Sequence, residues 1–581
     1  MALRNSKPLP FAPSGCTDAL DSSDVPAGSM AALTNLIPDP TTRNLFQCRP
    51  AAFQLNEGFG LLPDAGFISV MKVVGNRVYG MVATSTIPGR DQPFCYDIAA
   101  DAFVPISGTQ DANTLPVSPS PTGEWQPPIM DTVGKYVVVA HAGFEDAALK
   151  VAGLIDISDP ADPVWSITDG DDSGSGEPFL FAPISVAAFG DRAYYMVPGA
   201  TAPGSIVLPA VVFSDILDPA NNNITISAVN SNVITFDDSV ALTAFGKQGL
   251  NNQLGGIVQA LFVFKGVTNI YQITGDPLGG VLVANPSPPP DLIPVLPSGV
   301  APLQRNALNV VTGTNAPLSV CSTPKGITFM SPEGFRLIDT MGNVGDPIGV
   351  AGTGVTVPFT YSVVPSRVAA CAGGNTLRIS TQNGFAPGTP NEEWFFNFAR
   401  GVWTGPHTFP SSLIQPYNNT FIKTPIGVLA TLWQSDAAQV LNSTYVENGT
   451  QLTWRYQTSL LPNTDQMCQN NMIETTFTCA LTAAAGPVSC SVQDQDGVVL
   501  NSVTIPQQGE ATLWGQFQWG QASWLGAASA LQPRQMFWTA PIVFQRMAFT
   551  AVGQCGQSVR VGRTYFRYEM LGYLLPYPVS A

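Results

Sequence analysis

Two histidines, His141 and His407, are all that the chain offers to chemistry that moves protons near neutral pH or grips a metal through imidazole. They fall in different repeats, which leaves a Ser-His-Asp relay or a histidine metal centre short of parts. No G-x-S-x-G elbow, H-E-x-x-H pair, Walker loop or dinucleotide fingerprint occurs. Each histidine is therefore expected to be an ordinary residue, hydrogen-bonded inside or exposed outside. Glycoside hydrolysis needs only two carboxylates, and Glu392 with Glu393 or Asp237 with Asp238 are candidates by type. Adjacent residues on a strand point to opposite faces, so neither pair can straddle a sugar; carboxylates of separate repeats meeting at a common centre stay open. The acidic loop Asp169-Gly-Asp-Asp-Ser-Gly-Ser-Gly-Glu lacks the alternation and terminal bidentate Glu of a calcium loop and reads as a solvated turn. Trp514, Trp519 and Trp524, spaced by five, suit β-sheet packing better than a carbohydrate platform. The expectation is no catalytic residue, no cofactor, no metal, and a chain that is not an enzyme.

The nine cysteines are odd in number, widely spread and without C-x-x-C spacing, so buried free thiols are expected rather than a disulfide framework or a zinc site. The net charge of −16 comes mostly from a shortage of Lys and Arg, and no basic cluster could neutralise a row of phosphates. Tight nucleic-acid binding is disfavoured; an acidic wall beside DNA would repel it. The N-terminal stretch MALRNSKPLPFAPSG lacks the apolar core of a signal peptide, and no uncharged apolar run approaches a membrane span without being broken by prolines. A soluble protein made in the cytoplasm, without a membrane anchor, is expected.

Any such groups must be positioned by strands. With 54 Gly, 51 Pro and only 11% charged residues, the chain is dense in turns and poor in sustained helical periodicity. One phrase recurs, a turn glycine and a polar residue launching a β-rich run: Gly75-Asn-Arg-Val-Tyr-Gly-Met-Val, Gly134-Lys-Tyr-Val-Val-Val-Ala and Gly190-Asp-Arg-Ala-Tyr-Tyr-Met-Val. Weaker copies at Gln259, Gly326, Gly374 and Gly427 continue it at intervals of about 50 to 70 residues, which suits a four-stranded blade. Second strand pairs follow several copies, for example Phe94-Cys-Tyr-Asp to Phe103-Val-Pro-Ile and Trp394-Phe-Phe-Asn-Phe to Gly401-Val-Trp-Thr. The pattern predicts an all-β chain, a β-propeller-like repeat of about six or seven blades, ahead of a string of sandwich domains. Pro-rich segments near Pro116 to Pro128 and Pro286 to Pro302 read as surface loops. From about Gln451 the period gives way to alternating strands. The expected division is an N-terminal arm over 1–55, disordered or laid across a neighbour, a propeller over 56–450 and a C-terminal β-sandwich-like domain over 451–581.

Three places resemble the tail hub or nozzle proteins of short-tailed bacteriophages. Ala32-Leu-Thr-Asn-Leu-Ile-Pro-Asp-Pro-Thr-Thr-Arg-Asn-Leu-Phe-Gln-Cys-Arg-Pro is similar to their opening, where an Asn-rich entry leads to an Arg-Pro turn before the first blade. Leu261-Phe-Val-Phe-Lys-Gly-Val-Thr-Asn-Ile-Tyr-Gln-Ile-Thr-Gly-Asp and Phe329-Met-Ser-Pro-Glu-Gly-Phe-Arg-Leu-Ile-Asp look like their blade strands, and Phe544-Gln-Arg-Met-Ala-Phe with Arg560-Val-Gly-Arg like their closing strands. The resemblance implies a virion protein in a homo-oligomeric ring, usually a hexamer, below the portal and its adaptor and beside tail fibre, spike or needle proteins. DNA would pass through without specific binding. The alternative is a glycan-binding tail or surface adhesin on a propeller scaffold.

Overall fold

The structure, a computed structural model, describes residues 6–573 apart from 18–27, 56–64, 85–89, 109–114, 117–126, 142–151, 169–181, 216–223, 227–232, 237–239, 252–256, 275–303, 349–354, 356–358, 360–363, 383–390, 427–430, 436–444, 462–467, 481–485, 506–531 and a few interruptions of one or two residues. The acidic loop at Asp169, the pair Asp237 and Asp238, the prolines from Pro286 to Pro302 and the three tryptophans from Trp514 to Trp524 lie outside the described residues.

Seven small antiparallel sheets follow one another along the chain as blades. Blade 1 runs Ala65–Val74, Arg77–Thr84, Arg90–Asp97, Ala102–Val104; blade 2 runs Ile129–Val133, Tyr136–Ala140, Ala152–Asp156, Val164–Thr168. Blades 3 and 4 begin at Ser185–Phe189 and Leu242–Asn251, blade 5 at Cys321–Thr323, blade 6 at Ala369–Gly373 and blade 7 at Ser411–Tyr417. Each innermost strand packs against the next, and blade 7 returns to blade 1, so the ring is closed. This is a seven-bladed β-propeller.

The local sequence explains the blades. In blades 1, 2, 3 and 6 the first and second strands are joined by two residues, the first of which takes positive φ, and Gly75, Gly134, Gly190 and Gly374 supply it at φ of 58°, 55°, 59° and 57°. In blade 7 this role falls not to Gly427 but to Asn418, at φ 50° between Ser411–Tyr417 and Thr420–Pro425. Second strands are covered on both faces by neighbouring blades, hence the unbroken apolar runs: every residue of Tyr136–Ala140 and Arg192–Val197 is buried. The core accordingly lies between blades, as where Tyr79 and Met81 of blade 1 meet Val137, Val139 and Trp165 of blade 2.

The described part of the N-terminal segment is not a separate arm: Ser6–Phe11, Ser29–Thr34 and Phe46–Cys48 are sheet strands. Two sheets form the second body, and both are built from the two ends of the chain. In one, Arg560–Tyr573 pairs on one side with Cys468–Ala480 and on the other with Ser6–Phe11 and Phe46–Cys48. In the other, Ser29–Thr34 pairs with Thr453–Thr458, which continues through Met547–Gln554 to Val488–Asp494 and Val499–Ile505. The physical reason is edge protection, since a 14-residue strand such as Arg560–Tyr573 would otherwise expose a long row of unpaired amides. Leaving the sandwich, the chain supplies Ala52–Gln54 as the outermost strand of blade 7, against Trp433–Ser435. The propeller is thus closed by a strand from before its first blade. No helix among the described residues is long and apolar enough to cross a membrane.

Candidate functional site

The seven innermost strands surround a cavity of about 330 Å³ to which every blade contributes. Its wall is mostly apolar, with one charged cluster. Asp131 of blade 2 is buried; its Oδ1 accepts from Lys72 Nζ of blade 1 at 2.9 Å and from the Thr132 N–H at 3.0 Å. Its Oδ2 accepts from the Ala188 N–H at 2.7 Å and from Lys247 Nζ of blade 4. Burial pushes this carboxyl up, but the two ammonium charges and the Ala188 N–H more than offset it, holding it at about 2, down from 3.8. A carboxylate depressed by that much contributes about 2 kcal/mol at neutral pH, present above the unfolded value and lost as pH falls through the folded one. Asp131→Asn is expected to lower the unfolding free energy by about that amount at pH 7, with little difference left near pH 2, as read by urea titration.

Two thiols also line this cavity. Burial raises Cys321 to about 11 and Cys371 well above the ordinary thiol value, so both stay protonated at neutral pH. All cysteines whose side chains are described are free, and no group of three or more His, Cys, Asp or Glu among the described residues could hold a metal.

His141 lies just beyond the second strand of blade 2, with Nε2 2.9 Å from Asp91 Oδ2, which also accepts from Ser69 Oγ at 2.8 Å. A serine, an aspartate and a histidine do meet, then, buried between blades 1 and 2. The order is wrong for a relay, because the carboxylate stands between hydroxyl and imidazole, where a relay needs the imidazole in the middle. The group ties two blades together. Glu392 and Glu393 diverge as strand neighbours must: Glu392 accepts from Trp394 Nε1 at 2.9 Å, while Glu393 is buried with Lys423 Nζ at 3.6 Å.

His407 ends blade 6 inside a larger polar hub. Its Nδ1 accepts the Asn35 N–H at 2.9 Å, its Nε2 is 3.2 Å from Thr404 Oγ1, and its ring lies tilted by 43° against Phe395 with the centroids 4.1 Å apart. Burial, then the charges of Arg49, Arg378 and Lys423, drives its pKa well below 6.5, so it is neutral when folded. Because the unfolded chain binds the proton more readily, stability is full above pH 6.5 and falls below it. Below pH 6.5 the loss should steepen toward about 1.4 kcal/mol per pH unit, and His407→Gln should flatten that slope in denaturant titrations.

At the hub's centre Arg49 uses all five donors. Nε bonds Asn35 Oδ1 at 2.8 Å, Nη1 bonds Glu447 Oε1 at 3.0 Å and Pro50 O at 3.1 Å, and Nη2 bonds Glu447 Oε2 at 2.6 Å and Thr408 O at 2.9 Å. Glu447 also accepts the Ala52 N–H at 2.9 Å, the first residue of the strand that closes blade 7. Asn35, at φ 55°, reaches Thr453 O and Thr408 Oγ1 through Nδ2. Sandwich, blade 6 and propeller closure are locked at one point.

Sequence reasoning singled out both histidines and quoted Asn35 and Arg49, but missed Lys72, Asp131 and Lys247. The available signal was a lone charge in the first strand of each of three blades. No family model matches the chain, and no curated protein matches it. Among solved structures, it is similar to a glycoside hydrolase family 43 arabinoxylan arabinofuranohydrolase from Bacillus subtilis, at 11% identity over 89% of this chain and 97% of that one, TM-score 0.23. It is also similar to BBS1N in complex with ARL6DN, at 11% identity over 67% and 97%, TM-score 0.32. A third is the quinohemoprotein alcohol dehydrogenase ADHIIG from Pseudomonas putida HK5, at 11% identity over 69% and 78%, TM-score 0.33. Likeness at this level says nothing of what this chain binds or does.

Proposed function

We propose that this chain is a structural virion protein, a subunit of a ring-shaped tail nozzle that forms part of a DNA ejection channel, and that it carries no enzymatic site. The observation that carries the reading is the place of the phrase from Ala32 to Pro50, one of the stretches on which the resemblance to nozzle proteins rests. Its Asn35 and Arg49 are the residues that lock sandwich to propeller, so the likeness bears on the architecture and not on an isolated string. The excess of acid, −16 overall, agrees with a wall along which phosphates slide. A cavity of about 330 Å³ cannot admit a duplex, so DNA would run through the opening between copies and not through a propeller. Electron microscopy and light scattering of the purified protein, alone and with its portal and adaptor, test this. A closed ring of identical subunits, six on the family pattern, is expected. A stable monomer that neither caps a portal complex nor self-associates, and that binds glycans, would overturn it in favour of an adhesin.

A further inference from the structure

We propose that the central cavity of the propeller binds a small organic anion, a carboxylate or phosphate monoester with a short apolar body, held by Lys72 and Lys247. The two ammonium groups reach Asp131 from blades 1 and 4, and one carboxylate between two cations leaves one positive charge uncompensated. Asp131 has no capacity to spare, since both oxygens already accept a lysine and a backbone N–H. Each lysine has three donors and uses one on Asp131, so the remainder must be met by water or by a ligand.

Exposure has the same direction: the carboxylate side chain is 8% exposed, Lys72 28% and Lys247 39%. The anion is set into the wall and the cations face the opening. Asp131 thereby aims two flexible side chains at one spot, lowering the entropy lost when they grip a ligand. A cationic patch is also against the grain of a chain with a net charge of −16, and the two cysteines of the wall, protonated at neutral pH, do not cancel it. At about 330 Å³ the cavity lies at the small end of the range for ligand pockets. Ala187, Phe245, Ala370 and Ile414 offer apolar contact to the ligand's body.

The inference does not depend on the assembly reading. It is tested by calorimetric titration of the full chain with inorganic phosphate and, separately, with succinate, at constant ionic strength. Saturable one-site binding of at least one probe is expected, weakened about tenfold or more by Lys247→Met and by Lys72→Met. Lys135→Met, which removes a lysine paired to Asp156 outside the cavity, should leave it unchanged. Each single variant keeps Asp131 paired to the other lysine, and its thermal transition without ligand reports that it is folded. Binding of phosphate alone or of succinate alone assigns the headgroup. Absence of saturable binding for both probes, or binding indifferent to both cavity lysines, would overturn the proposal.

Discussion

Arg49→Met is expected to remove about 3–5 kcal/mol of unfolding free energy, and Glu447→Gln a comparable amount. Both side chains are only 2% exposed and 2.6 Å apart at their nearest atoms, so removing either strands the other charge where water cannot reach it. In the arginine variant Asn35 Oδ1 and Thr408 O also lose donors. A paired apolar replacement, Arg49→Met with Glu447→Leu, should recover part of the loss because no charge is left over. It cannot recover all of it, since the Ala52 N–H would still have lost its acceptor. Burial pushes Glu447 up, but the charges of Arg49 and Lys423 and the bonds from Arg49 and the Ala52 N–H outweigh it, and its carboxyl sits below 4.5. Its contribution is therefore present above pH 4.5 and disappears as pH falls through the folded value. Guanidinium titration followed by tryptophan fluorescence and far-ultraviolet circular dichroism measures the effect. Losses under about 1 kcal/mol in both single variants would mean that the hub is not a structural lock.

The blades were legible because their signals are local. A glycine near φ 57° and the β-branched run after it sit within about ten residues, and blades repeat the pair. Where a different residue does the same job, as Asn418 does in blade 7, the phrase misleads: Gly427 falls after the second strand, not before it. The sandwich was half legible. Its C-terminal strands alternate plainly, as in Val488–Asp494, whose residues 488, 490 and 492 are buried and 489 exposed. Its N-terminal strands do not. Ser6–Phe11 holds Pro8 and Pro10, which look like breakers, yet among the described residues the strand pairs only with Arg560–Tyr573, and an edge strand tolerates proline on its unbonded side. That pairing joins opposite ends of the chain, and no local pattern encodes a register between them. The charged cavity cluster was hidden for the same reason: Lys72, Asp131 and Lys247 belong to three blades and meet only because the ring closes.

A fragment of residues 451–581 alone is expected not to fold, despite reading as a domain. Without residues 1–50, the strand Arg560–Tyr573 loses its pairing to Ser6–Phe11 and Phe46–Cys48, and Thr453–Thr458 loses Ser29–Thr34. Phe11, Met30, Leu33, Leu36 and Phe46 also leave the shared core, withdrawing on the order of 10 kcal/mol of apolar burial. That is comparable to the whole stability of a typical domain, and two long unpaired edges favour aggregation over a loose native state. The fragment should show no cooperative thermal transition and should elute as aggregate. Because Arg49 touches Glu447, the end of the N-terminal segment lies beside the start of the sandwich strands, and a short flexible linker from residue 50 to residue 451 spans the gap. This fusion should unfold cooperatively and remain monodisperse at concentrations where the lone fragment precipitates. A chain starting at residue 56 should fail in a complementary way, since blade 7 loses Ala52–Gln54 and the ring its closing strand. Cooperative unfolding of 451–581 alone would show instead that the N-terminal strands merely decorate a self-sufficient sandwich, and would reduce their role to closing the propeller.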